Sequence, residues 1–274
     1  MNDTLTVALV SDVFFTADGP ARLRERLRAA KDGGAELAVL PEIPLNPWSP
    51  ATATARDEDA EAPEGPRHRE LAAAAREAGL GVLGGAIVRD PATGRRHNTA
   101  LVFDARGTLR MAYRKAHLPE EPGFWETSHY EPGDAPPSIV DGFGLPFGVQ
   151  ICSDINRPEG AHLLGALGAM AIVNPRATEQ ATFARWRVVF VANALTSAAY
   201  VLSVNRPAPE QGVPLGGPSI AVAPDGEVLD ETTAPVAFVR LERRRVEAAR
   251  RAYPGYLPMR ADLYARGWAG LTAK

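Results

Sequence analysis

The order of its elements constrains this chain most. Short apolar runs of strand character ("TLTVALVS", "ELAVLPE", "GVLGGAIVR", "FGVQIC", "AMAIVNP", "AAYVLSVNR") are interleaved with stretches whose apolar residues recur at helical spacing ("GPARLRERLRAAKDGG", "HRELAAAAREAGL", "PEGAHLLGALG", "FARWRVVFVANALT"). Strands separated by helices pair in parallel through crossovers, so helices should layer onto sheets. Two stretches break the alternation. "HNTALVFD-ARG-TLRMAYRK" turns at Arg106-Gly107 as a hairpin, and "GPSIAVAPDGEVLDE" turns at Asp225-Gly226, with "APVAFVRLE" continuing the meander. The expectation is therefore α/β, with two mixed sheets covered by helices on their outer faces. The basic helix "RRRVEAARRA" follows, and the tail "YPGYLPMRADLYARGW" reads as loop. No repeat or linker-like composition interrupts residues 1–274, which predicts one compact domain.

A chain of 274 residues that is 45% hydrophobic can bury a substantial core. Its formal net charge of −3 offers no basic footprint for nucleic acid. The longest apolar-rich run, "VVFVANALTSAAYVLSV", is interrupted by Asn193, Thr196 and Ser197 and reads as a helix end followed by a buried strand, not a membrane span. The first residues lack the basic and apolar regions of a signal peptide, and one cysteine cannot form an internal disulfide. A cytoplasmic protein is expected, without membrane or nucleic-acid partners. Its five histidines show no metal-ligand spacing, and no metal or organic cofactor is expected.

Three polar residues fall at predicted strand exits: Glu42 after "ELAVLP", Lys115 after "LRMAYR" and Cys152, the single cysteine, after "FGVQI". In layered α/β folds, strand ends gather into one crevice. A thiol, a carboxylate and an ammonium in that crevice form a coherent set. The carboxylate can take the thiol proton, while the ammonium lowers the thiol pKa and stabilises negative charge on a substrate oxygen. A lone cysteine is more often a small buried hydrophobe, but that reading is poor for three such residues jointly. The segment Ala116 to Pro137 is too long to be a mere connection.

These segments resemble a known family. "LPEIPLNPW", "YRKAHLPEEPGFWETSHYEPGD" and "ICSDINRPE" look like the Glu, Lys and Cys segments of the nitrilase superfamily of carbon–nitrogen hydrolases, in the family's order; "NPRAT", "GGPSIAVAPDGEVL" and "MRADLY" extend the match. The resemblance implies a four-layer α-β-β-α sandwich that forms a homodimer or higher homo-oligomer, with the tail from about residue 253 to 274 at the interface. It further implies Glu42 as general base, Cys152 as nucleophile and Lys115 as oxyanion stabiliser. Glu126 is the preferred match, over Glu120 and Glu121, for a glutamate that positions substrate and Lys115. The backbone N–H of Ser153 would be a second oxyanion donor, and His117 would brace the loop. Trp48, Trp125 and Phe124 are expected to wall the pocket.

The resemblance also narrows the substrate. Cys152-Ser153-Asp154 is similar to amide and carbamoyl hydrolases, whereas nitrilases typically carry Cys-Trp-Glu. Ile155 and Asn156 stand where D-amino-acid carbamoylases place two carboxylate-clamping arginines. That substrate is therefore disfavoured, and Asn156 becomes a candidate contact. Arg157 or Arg176 would be left to meet an anionic group. The leading expectation is hydrolysis of a small primary amide or N-carbamoyl amine through a thioester, with ammonia released. Alternatives are acyl transfer by the same chemistry and a non-catalytic binding or assembly protein on this scaffold.

Overall fold

Successive side chains of a strand point to opposite faces, and along Thr4–Val10 that alternation feeds two separate cores. In the computed structural model, which describes residues 3–271, Leu5, Val7 and Leu9 join Val39, Val149 and Leu202 in one buried cluster. Ala8 and Val10 instead pack with Leu23, Leu27 and Leu71. The strand is thus buried on both faces, by a second sheet on one side and by helices on the other.

Among the described residues, the first sheet runs in space Val236–Glu242, Thr4–Val10, Leu37–Val39, Gly81–Arg89, Arg96–Phe103, Leu109–Arg114, with Ala60–Glu61 also pairing to Gly81–Arg89. Its Thr4–Val10, Leu37–Val39 and Gly81–Arg89 strands are parallel. The second sheet runs Val228–Thr232, Ser219–Val222, Tyr200–Asn205, Ala171–Arg176, Phe147–Val149, Ile139–Val140, with its last three long neighbours, Tyr200–Asn205 to Phe147–Val149, parallel. Helices Gly19–Asp32 and Pro66–Ala78 cover the outer face of the first sheet. Helices Pro158–Ala166 and Phe183–Ser197 cover the second, through Leu164, Phe190, Ile172 and Val201. The layers are α-β-β-α and both sheets are mixed, as the element order predicted.

Local sequence explains where the elements stop. Gly79 takes the left-handed conformation (φ 58°) after helix Pro66–Ala78 and donates its N–H to the carbonyls of Ala75 and Arg76. Gly148 has another role: a Cβ built there would lie 2.3 Å from the Leu164 side chain. Its absence lets helix Pro158–Ala166 settle directly on the strand that leads to Cys152.

Two expectations are corrected. The strand Val236–Glu242 leaves the meander and pairs antiparallel with Thr4–Val10 in the other sheet, because its inward residues Val239 and Leu241 complete the central core. The tail contains a helix, Ala261–Ala269, where loop was expected. None of its residues is buried, so no buried stripe marks it in the sequence. Residues 272–274 of the tail lie outside the described residues. No helix among the described residues is long and apolar enough to cross a membrane.

Candidate active site

The carboxyl ends of the parallel strands from both sheets open onto one region. Glu42 follows Leu37–Val39 of the first sheet, and Lys115 directly follows Leu109–Arg114. Cys152 follows Phe147–Val149 of the second sheet. Two-sheet packing brings them together: Lys115 Nζ lies 2.8 Å from Glu42 Oε1 and 2.6 and 2.7 Å from the two oxygens of Glu126. All three side chains are fully buried. Glu42 Oε1 also accepts Asn98 Nδ2 at 2.7 Å, whereas Glu42 Oε2 is buried with no hydrogen-bond partner among the described residues.

Burial and mutual charge set the protonation of this group. Burial alone would pull the Lys115 ammonium down, but the charges of Glu126 and Glu42 outweigh it and hold Lys115 well above its ordinary value. Burial pushes Glu126 up to about 8, opposed by the charge of Lys115 and reinforced by that of Glu42. Burial and the Glu42 carboxylate push the Cys152 thiol well above its ordinary value, with Lys115 opposing. The sequence reading expected the ammonium to lower the thiol. Here Glu42 and Glu126 both close on that ammonium, and burial outweighs its effect on the thiol, which rests protonated.

Backbone strain marks both sides of the site. Cys152 has φ 45° and Ile43, next to Glu42, has φ 39°. For a β-branched residue such as Ile43 that region is costly and persists only where its surroundings enforce it. Arg206 does so: its Nη1 donates to the carbonyls of Glu42 (2.9 Å) and Ile43 (3.2 Å), and its Nη2 to that of Asn46 (2.9 Å). The Glu210 carboxylate receives Nε and Nη2 at 2.7 Å each and also accepts the Trp48 N–H. On the nucleophile side, Cys152 opens a short helical turn, Cys152–Asn156, whose first N–H groups have no acceptor within the turn. Asp154 ties this turn to the Lys115 loop. Its Oδ1 accepts the N–H groups of Ala116 and His117 and contacts His117 Nδ1 at 2.9 Å, while Oδ2 accepts Tyr113 Oη–H and the Ile151 N–H. His117 braces the loop as expected.

A cavity of about 280 Å³ reaches this turn, with Cys152, Ser153, Ala177 and Thr178 at its floor and Phe124 and Trp186 on its walls. A larger cavity of about 450 Å³ beside Asp3 and Arg243 shares no residue with it. Ser153 and Phe124 line this cavity, whereas other residues expected at the pocket do not. Trp48 is fully buried, its Nε1 donating to the Gly123 carbonyl at 2.8 Å and its ring packed edge-on against Phe124. It supports the wall without lining it. Trp125 does not line the cavity, because in the small hairpin Glu120–Glu121/Phe124–Trp125 consecutive side chains face opposite ways. Asn156 is exposed: in a three-residue turn Cys152 and Ile155 share the buried face, and Asn156 falls off it. Arg157 is exposed too. Arg176 is buried, with Nε on Ser203 Oγ at 2.8 Å and its other nitrogens on Thr178 Oγ1 and the Pro218 carbonyl. It is committed to the floor and does not line the cavity.

Asn98, Asp154, Arg206 and Glu210 were not singled out from the sequence. For Arg206 the signal was present, since it follows the strand Tyr200–Asn205 as Glu42, Lys115 and Cys152 follow theirs. Asn98 is a buried polar residue within a run of buried positions in Arg96–Phe103.

Comparison with known proteins places the chain in a family. The sequence model of the family described as Carbon-nitrogen hydrolase matches residues 16–251. The chain is 31% identical over 247 residues to Nitrilase homolog 2 of Dictyostelium discoideum, covering 86% of this chain and 74% of the relative. It is 29% identical over 261 residues to human Omega-amidase NIT2, covering 91% and 92%. The crystal structure of Saccharomyces cerevisiae Nit3, a member of branch 10 of the nitrilase superfamily, superposes with a TM-score of 0.80 at 27% identity, covering 94% of this chain and 96% of that one. By sequence and by fold, the chain belongs to the carbon–nitrogen hydrolase family of the nitrilase superfamily.

Proposed function

We propose that this chain is one catalytic domain that hydrolyses a small primary amide or N-carbamoyl amine through a thioester on Cys152. The observation that carries the reading is the division of labour within Glu42. One oxygen is fixed by Lys115 and Asn98, and the other is buried and unpartnered among the described residues, within electrostatic reach of a thiol that rests protonated and contacts the Ala177 carbonyl. Such a carboxylate is a base held ready for the thiol proton. The Omega-amidase name of several relatives supports the amide class.

In the sequence of steps, the Cys152 Sγ–H proton moves to Glu42 as sulfur bonds to the carbonyl carbon. The resulting oxyanion is stabilised by Lys115 Nζ and the Ser153 N–H, a contribution of about 10²–10³ in rate for each well-placed donor. Glu42 returns the proton to the departing nitrogen, the C–N bond breaks and ammonia leaves. Water then gives its proton to Glu42 and attacks the thioester. The acid product leaves as the proton returns to sulfur. Glu126 holds the Lys115 ammonium in place and touches no reacting atom.

Self-association of copies through the tail is part of the proposal. Tyr253, Tyr256, Leu257, Tyr264 and Trp268 are large apolar side chains that stand exposed, and covering such a stripe favours association.

The test is ammonia release from a panel of aliphatic amides, ω-amides, N-carbamoyl amines and nitriles, with Cys152→Ala alongside. Cysteine-dependent release from an amide or carbamoyl compound supports the reading. Release undiminished in Cys152→Ala rejects it.

A further inference from the structure

Among the described residues, the charged ones lining the 280 Å³ cavity are Glu121 and Glu179, and no lysine or arginine lines it. The orientation of Glu121 follows from register. Glu121 stands opposite Phe124 across the small hairpin, and directly opposed residues of an antiparallel pair share a face. Both line the cavity, whereas Glu120, on the other face, accepts the Thr127 N–H at 3.2 Å. Glu179 comes from the loop after Ala171–Arg176, beyond Ala177 and Thr178 at the floor, and its backbone is pinned by a bridge to Leu215. Neither carboxylate forms an ion pair or accepts a side-chain hydrogen bond among the described residues. The rings of Phe124 and Trp186 line the same cavity, and aromatic faces attract cations.

Nearby positive groups do not balance this acidity. Lys115 is held by the side chains of Glu42 and Glu126. Arg176 is locked to Ser203, Thr178 and the Pro218 carbonyl. A substrate carboxylate would therefore find two like charges and no free counter-ion.

We propose that the cavity selects amides bearing a protonated amino group at the end far from the scissile carbonyl, held by Glu121 and Glu179 against the rings of Phe124 and Trp186. The volume, that of about nine liquid waters, fits a short linear substrate and not a peptide. The inference rests on the reading that Cys152 attacks an amide carbonyl, and it adds what the rest of the substrate must be.

The test compares 5-aminopentanamide, hexanamide and adipamic acid, which are cationic, neutral and anionic amides of similar length. The readout is kcat/KM for Cys152-dependent ammonia release. The amino amide is expected to exceed the neutral one by at least about tenfold and the acidic one by about a hundredfold, with the preference shrinking at high salt. In Glu121→Gln and Glu179→Gln the amino-to-neutral ratio should fall several-fold through KM, and the double Lys variant should favour adipamic acid. A wild type that turns over adipamic acid as well as 5-aminopentanamide, or a ratio unmoved in both Gln variants, overturns the selectivity alone. Turnover of none of the three, with cysteine-dependent release from another amide or N-carbamoyl amine, likewise overturns the selectivity alone; cysteine-dependent release from no amide or N-carbamoyl amine overturns the amide-hydrolysis reading as well.

Discussion

Nη1 of Arg206 lies 2.9 Å from the carbonyl oxygen of Glu42, a contact that spans 164 residues of sequence. It connects the exit of a strand in the second sheet to the exit of a strand in the first. The same guanidinium lies 5.7 Å from the Trp48 ring centroid and 5.9 Å from that of Phe15. The conformation of the Glu42 turn is thus enforced from the opposite sheet, and the position of the base depends on how the two sheets pack.

Lysine cannot reproduce the fork that serves three carbonyls and Glu210 together. Arg206→Lys should lower kcat by about 10–100-fold with a smaller change in KM, since a displaced base misaligns the chemical step. Steady-state kinetics checks this. A variant with wild-type kcat would show that the turn holds its shape without the clamp.

Asp154 collects donors from both catalytic loops while almost wholly buried. Asp154→Ala strands several of them and should cost about 2–4 kcal/mol. That corresponds to a melting temperature lowered by roughly 5–10 °C, measurable by thermal unfolding, with kcat falling as Lys115 and Cys152 lose their common anchor.

Glu126 gives a pH dependence of definite sign. Its folded pKa of about 8 exceeds its ordinary value of 4.5, so between these the folded state keeps a proton that the unfolded chain releases. Stability contributed by this group is complete below pH 4.5 and is lost as pH rises toward 8. Lys115 and Cys152 are also raised, but their losses begin only above their ordinary values of 10.5 and 9.0. Unfolding free energies of wild type and Glu126→Gln at pH 5 to 8 should converge toward the alkaline end, the wild type losing its relative advantage. A constant difference across that range would contradict the assignment.

The layers and the placement of Glu42, Lys115 and Cys152 at strand exits were legible in the sequence because they depend on local pattern: strands alternating with helices, and a polar residue just past the end of a strand. Trp48, Trp125 and Asn156 were misplaced because their orientations depend on details that element order does not carry. A two-residue hairpin alternates its side chains, a three-residue turn rotates Asn156 away, and an indole N–H finds a carbonyl at Gly123. The net direction of the Cys152 shift was misjudged for a related reason. The sequence supplies the ammonium, but only the packed structure shows Glu42 and Glu126 both closed on it. The crossing of Val236–Glu242 to the first sheet is likewise a tertiary choice, decided by the central core and not by the turn before it.

The central claim is that Cys152 carries the acyl group. Its most direct test is acid quench of the enzyme during turnover of an amide that releases ammonia, followed by mass measurement of the intact chain and its peptides. A mass increase equal to the acyl group on the Cys152 peptide, absent in Cys152→Ala, is the predicted result. Sustained ammonia release by Cys152→Ala at the wild-type rate, with no acylated peptide in either protein, would contradict it.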